Sequence, residues 1–258
     1  MRGQRVRAIA RRQSYVLRRA PQRWFDVVVW PVVDAILFGA IGVYFGRQHG
    51  TTEASAAFLL AGIVLFHVVF QAEISLATGF LEETWSRNLL NLMVTPLTEP
   101  EYGAGVVLFG MVRLAIGVSV VSVVALVLFA FDITTLGLAL VPLVAILLVV
   151  GWSVALVVIG LILRCGQGAE ILTWGFIAFL LPLSGIFYPV SALPGVLQPL
   201  ALALPTTHAF AAGRAVVTGH PLPWDQVAAG FGRRDLEGVF LHLAEGGTKP
   251  NTDARAVS

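Results

Sequence analysis

The sequence predicts an all-α polytopic membrane helix bundle with five full spans plus a re-entrant helical pair. Three observations carry that reading. Of 258 residues, 57% are hydrophobic and only 12% are charged, against about 25% charged in a soluble domain. Apolar runs of about 20 residues, the length a helix needs to cross about 30 Å of hydrocarbon, recur along the chain. Backbone groups in hydrocarbon must be satisfied within their own segment, so these runs are helices.

The chain opens on a basic arm, residues 1–25. Of 17 Lys and Arg, eight are Arg between Arg2 and Arg23. An arm of this kind directly before an apolar span marks a cytosolic terminus. It does not call for nucleic acid. Ile9, Val16, Leu17 and Trp24 can line one side of a helix. The arm therefore reads as an interfacial amphipathic helix whose arginines reach anionic headgroups. These 25 residues hold no apolar signal-peptide core, only scattered Val, Ile and Leu between arginines, so no cleavable signal peptide is expected.

Residues 26–217 form the membrane domain, with spans predicted at 26–46, 54–80, 102–131, 134–163 and 169–188. The connections 47–53 and 132–135 are short and face outward, and Arg47 is their only basic residue. The stretch 82–101 and Arg164 face inward. After the fifth span, residues 187–208 are apolar but hold Pro189, Pro194, Pro199 and Pro205. Proline inside a helix costs about 3 kcal/mol, so two short helices that enter the outer leaflet and return fit better, over about 187–210. The polar tail 218–258 contains no further apolar run long enough to span.

Charged and polar residues within the spans are the candidates for chemistry. Asp34, Glu73 and Arg113 lie about 12, 10 and 16 Å from the cytosolic end at 1.5 Å per residue. An unpaired charge there costs at least about 2.5–3.5 kcal/mol, so Arg113 is expected to pair with Glu73, Asp34 or both. The pair would fix helix packing or serve substrate passage. His67, Gln71, Ser75 and Thr78 fall on one side of the second span, with Glu73 pointing away. That stripe either hydrogen-bonds neighbouring helices or lines a polar path.

The inner stretch reads as a helix from Glu82 to about Thr95, stopped by Pro96. Glu82 and Glu83 would lie in its first turn, where the helix dipole favours acids. Trp85, Leu89 and Leu92 or Met93 recur at helical spacing, so the helix can lie in the interface with that face in lipid. Ser86, Arg87 and Asn91 then face the cytosol, making a docking element for a soluble partner.

Several enzyme classes find no support. The sequence has no GxxxxGK[ST], HExxH, CxxC or GxSxG pattern, its five histidines show no metal-ligand spacing, and the one cysteine, Cys165, excludes an internal disulfide. No catalytic, cofactor or metal residue is assigned.

Two stretches together, FLEETWSRNLLNLMVTPLTEPEYGAG (80–105) and FLLPLSGIFYPVSALPGVLQPLALALPTTHAFAAGRAVV (179–217), resemble the permease subunit of type-2 ABC exporters. The resemblance implies that about 82–95 is the coupling helix, with Glu82, Glu83, Trp85, Arg87, Asn88 and Asn91 contacting a separate ABC ATPase subunit. ATP and Mg would bind that partner, and none in this chain. It further implies a dimer with a second permease copy (homodimer or heterodimer) and a bacterial cytoplasmic membrane location. Family members have a sixth span, which is expected to be missing here. Residues 232–247 resemble the end of a partner ATPase. The alternative reading is a truncated or degenerate permease acting as a non-transporting scaffold or immunity partner.

Overall fold

The structure, a computed structural model, describes residues 3–19, 24–50, 52–85, 88, 91, 94–166 and 171–230. Among these the regular elements are helices. α1 (Gly3–Arg19) is followed by a π-helical turn (Phe25–Val29) that runs directly into α2 (Trp30–His49). Then come α3 (Thr52–Trp85), α4 (Glu99–Phe129), a 3-10 turn (Ile133–Ala139) and α5 (Leu140–Cys165). α6 (Ile171–Leu183), a 3-10 turn (Val190–Ala192), α7 (Gln198–Leu202), α8 (Pro205–Val217) and α9 (Trp224–Gly230) follow among the described residues.

Among the described residues four helical segments are long and apolar enough to cross a membrane: Val27–Gln48, Ser55–Trp85, Glu99–Phe129 and Ile133–Cys165. They coincide with the first four expected spans. The fifth expected span is a 13-residue apolar helix, α6, about 20 Å long at 1.5 Å per residue. Pro182 lies in its last turn. Beyond it, Pro199 sits in the first turn of α7 and Pro205 opens α8. Proline is accommodated at these positions because the first-turn N–H groups have no helical partner.

α3 is the hub. It packs against α2, α4, α5, α6 and α8, and Leu60, Ala61, Ile63, Val64 and Leu65 in one stretch are almost wholly buried. Close helix approach is secured by small residues. At Gly151 on α5 a Cβ would stand 2.6 Å from Ala72 Cβ and 2.8 Å from the Val69 carbonyl. The expected tail segment 231–258, including 232–247, lies outside the described residues.

One boundary differs from the sequence expectation. Glu82, Glu83 and Trp85 do not open a new helix; they are the last turn of α3. Phe80 and Leu81 continue its apolar face into a second cluster with Ile9, Val106, Ala155 and Val158. Buried apolar contacts thus carry the helix past the point where polar residues begin. At 34 residues, α3 is about 51 Å long and overruns a hydrocarbon core of about 30 Å. α4, at 31 residues, runs beside it.

Candidate functional site

The projecting ends of α3 and α4 meet α1, and the contact is built from charge and shape together. Arg12 Nη1 and Nη2 both donate to the Glu83 carboxylate, with Nη2 3.1 Å from Oε2. Glu83 also accepts from Asn88 Nδ2 at 2.7 Å, and its side chain is only 2% exposed. Arg5 Nη1 donates to Glu101 Oε2 at 3.2 Å. Glu101 belongs to the capping box that Thr98 forms at the start of α4. Between the two ion pairs Ile9 enters a notch at Gly105, where a Cβ would lie 2.6 Å from Ile9 Cβ. Tyr102 Oη donates to the Gly79 carbonyl at 3.2 Å, joining α4 to α3.

The electrostatics follow from the helix ends. Acids in a last turn oppose the helix dipole, so Glu83 at the end of α3 needs a cation. Arg12 supplies it, and that hydrogen bond raises the guanidinium above its already high pKa. Glu99 and Glu101 in the first turn of α4 have a favourable dipole. Arg7, Arg11 and Arg18 are exposed on the other side of α1, and Arg19 is exposed at its end. The clamp was not foreseen in the sequence, although an acid pair at a span end and an arginine-rich arm were both visible.

Of the expected coupling residues, Trp85 is 48% exposed. Glu82 is half-buried and Asn91, whose Nδ2 donates to Asn88 Oδ1 at 3.0 Å, is exposed. Glu83 is turned inward onto Arg12 and Asn88 rather than presented to a partner. Arg87, with Ser86, Leu89 and Leu92, lies outside the described residues.

The expected ion pair between Arg113 and Glu73 or Asp34 is not formed. Neither Glu73 carboxylate oxygen has a hydrogen-bond partner, and Asp34 Oδ2 instead stands 3.6 Å from His67 Nε2. The reason is azimuth. Gln71 and Ser75 face α4, where a Cβ at Gly117 would meet Gln71 Nε2 and one at Gly110 would meet Ser75. Glu73 is two residues from each, about 200° around the helix, and its backbone lies beside Gly151 of α5. Arg113 is buried on α4, across α3 from that face. The polar stripe is thus divided: His67 meets α2, Gln71 and Ser75 meet α4, and Thr78 Oγ1 donates to the Ile74 carbonyl of its own helix. Losses from Arg113→Ala and Glu73→Ala should therefore add within about 0.5 kcal/mol in a double-mutant cycle read by thermal unfolding. A coupling several times larger would restore the pair.

At the opposite end of α3, α8 is tied down by polar contacts the sequence reading did not single out. Arg214 Nη1 donates to the Gly185 carbonyl, and its guanidinium sits 5.4 Å from the Phe58 ring centroid. Ser184 and Thr206 hydroxyls lie 2.7 Å apart. The His208 ring contacts the Leu202 carbonyl at 2.9 Å and Gln226 Oε1 at 2.7 Å, which joins α8 to α9.

Comparison with known proteins gives two results. The family described as ABC-2 type transporter matches residues 4–218. The inner membrane transport permease YadH of Escherichia coli strain K12 is 27% identical over 190 residues, covering 71% of this chain and 72% of that protein. YadH of Shigella flexneri matches to the same extent.

Proposed function

The chain belongs to the ABC-2 type transporter family, and from that premise we propose that it is the transmembrane subunit of an ATP-driven exporter. In this reading it lies in a bacterial inner membrane as a multi-pass protein, as the name of its relative YadH suggests. It pairs with a second permease copy and takes its work from a separate ABC ATPase, which holds ATP and Mg. α6 completes a fifth crossing, and α7 and α8 form the re-entrant pair on the outer side.

The observation that carries the reading is the clamp. α1 is fastened by two ion pairs to the ends of α3 and α4, so the arginine-rich arm and the stretch 82–101 share one side of the membrane. Arginine in the arm assigns that side to the cytosol, where an ATPase would dock. The sequence contains no phosphate-binding loop of its own, and packed helices move as bodies. A push delivered at Trp85 would therefore reach the whole length of α3, and through it the helices packed around that hub. Lipid enters as a further partner, through the exposed arginines of α1.

The test is recruitment of candidate ABC ATPases, with the permease reconstituted in lipid. Trp85→Ala combined with Glu82→Arg should weaken ATPase binding by at least about tenfold, about 1.4 kcal/mol, because exposed tryptophans dominate interface energies. Helical content and melting should stay unchanged. Unaltered binding and turnover in that variant would remove 82–95 from the coupling role.

A further inference from the structure

Asp34 on α2 and His67 on α3 meet well away from the clamp, and their hydrogen-bond chemistry does not balance without an additional proton. His67 is 1% exposed and the Asp34 side chain 15%. His67 Nδ1 lies 2.9 Å from the Ile63 carbonyl, one turn back on its own helix. A carbonyl only accepts, so Nδ1 carries a hydrogen. In a neutral imidazole Nε2 is then a bare lone pair. That atom has no hydrogen-bond partner and faces Asp34 Oδ2 at 3.6 Å. An ionised carboxylate is also acceptor-only. The rings of Phe66 and Phe70, with centroids 6.0 and 6.1 Å from the imidazole, offer no polar hydrogen. Two acceptors therefore oppose each other in an apolar contact, an arrangement that repels unless a proton lies between them.

We propose that Asp34 and His67 form an intramembrane proton-binding site, the two side chains holding one proton between them across the α2–α3 contact. The proton resides on Nε2, giving an imidazolium beside a carboxylate, or on the carboxyl, giving a carboxylic acid beside a neutral ring. Both microstates have no net charge, and they titrate as one unit. Loss of the proton leaves a net negative charge inside the membrane, which is costly. The α2–α3 contact is thus intact at low pH and weakens as pH rises through the value at which the proton leaves.

The neighbouring groups are few. α4 contributes Arg113 on its buried face, and the π-helical turn carries Asp26 in sequence. α8 contributes His208, held by Leu202 and Gln226, and Arg214, held by Gly185 and Phe58. On α3 itself Glu73 is six residues on, about 240° around the helix. α6 carries no titratable residue, and α5 has only Arg164 and Cys165 at its end.

The test uses the full chain in lipid bilayers with its histidine ring nitrogens isotopically labelled, read by solid-state NMR from mildly acidic to mildly alkaline pH. His67→Gln assigns the signal. At acidic pH both His67 nitrogens should be protonated or hydrogen-bonded. As pH rises, Nε2 should change in a single step while Nδ1 keeps its hydrogen. Asp34→Asn should abolish the step, since its amide can donate to Nε2 without titrating. A bare Nε2 at every pH in the wild-type chain overturns the proposal, as does an unaltered step in Asp34→Asn. Should that variant fail to fold, Asp34→Glu serves instead: the step must move in pH, and an unmoved step overturns the proposal.

Discussion

Glu83→Arg should undock α1 and lower the stability of the chain by about 2–4 kcal/mol. Surface pairs contribute about 0–1 kcal/mol, and breaking a fully buried pair costs about 3–5 kcal/mol. The clamp lies between those limits, because the Glu83 side chain is 2% exposed and that of Arg12 is 41% exposed. Reversal does more than remove a partner. It sets one guanidinium against another and also strips Asn88 Nδ2 of its acceptor. What then remains is the packing of α1 on α4, through the second ion pair, Arg5 to Glu101, and the buried Ile9, Gln13 and Leu17, with the contact to the end of α3 turned repulsive. Thermal unfolding in lipid measures the loss, and trypsin cleavage at the α1 arginines measures the undocking. The swap Arg12→Glu with Glu83→Arg should recover most of both. If the reversed protein melts like wild type and α1 stays protected, the clamp carries no weight, and Glu83 returns to the set of residues presented to a partner.

The spans were legible because hydropathy over about 20 residues is a one-dimensional signal that lipid imposes. The first four fall where expected, and the prolines of 187–208 correctly broke what would otherwise have been another long helix. The end of the second span was not legible. Glu82 and Glu83 look like the acidic first turn of a new helix, yet Phe80 and Leu81 bind the turn to the old one beneath α1. That burial comes from a segment some seventy positions earlier, beyond the reach of any local window. Depth was legible for Glu73 and Arg113, and azimuth was not: they share a level in the membrane but face different helices, while Asp34 stands at His67, six residues or about 9 Å from Glu73 along α3. Sequence spacing groups His67 with Gln71 and Ser75, and only the close packing of α2 on α3 gives it to Asp34. The hydroxyls, imidazole and guanidinium that fasten α8 were missed for the same reason, since their acceptors are carbonyls and side chains contributed by other segments.

Gly151→Leu should be strongly damaging, and Gly160→Leu on the same helix should be harmless. At Gly151 a new Cβ would stand 2.6 Å from Ala72 Cβ, 2.8 Å from the Val69 carbonyl and 3.2 Å from the Glu73 backbone nitrogen. Two of those three atoms are backbone and cannot rotate aside, so α5 must move off α3. Overpacking typically costs about 1–3 kcal/mol, and a whole isobutyl group against a rigid helix belongs at or above the top of that range. At Gly160 a Cβ meets nothing within 4 Å, and replacing glycine in a helix interior gains up to about 1 kcal/mol. The two variants therefore differ in sign while sharing chemistry, helix and lipid. Ala72→Gly on the Gly151→Leu background should recover only part of the loss, because it relieves the side-chain contact and leaves the Val69 carbonyl in place. Thermal unfolding of all three in one bilayer composition reads the result. Equal melting of Gly151→Leu and Gly160→Leu would mean that α3 and α5 are not in close contact in the membrane. In that case α3 could not pass a displacement of its projecting end to α5, and the rigid-body route from Trp85 to that helix would fail with it.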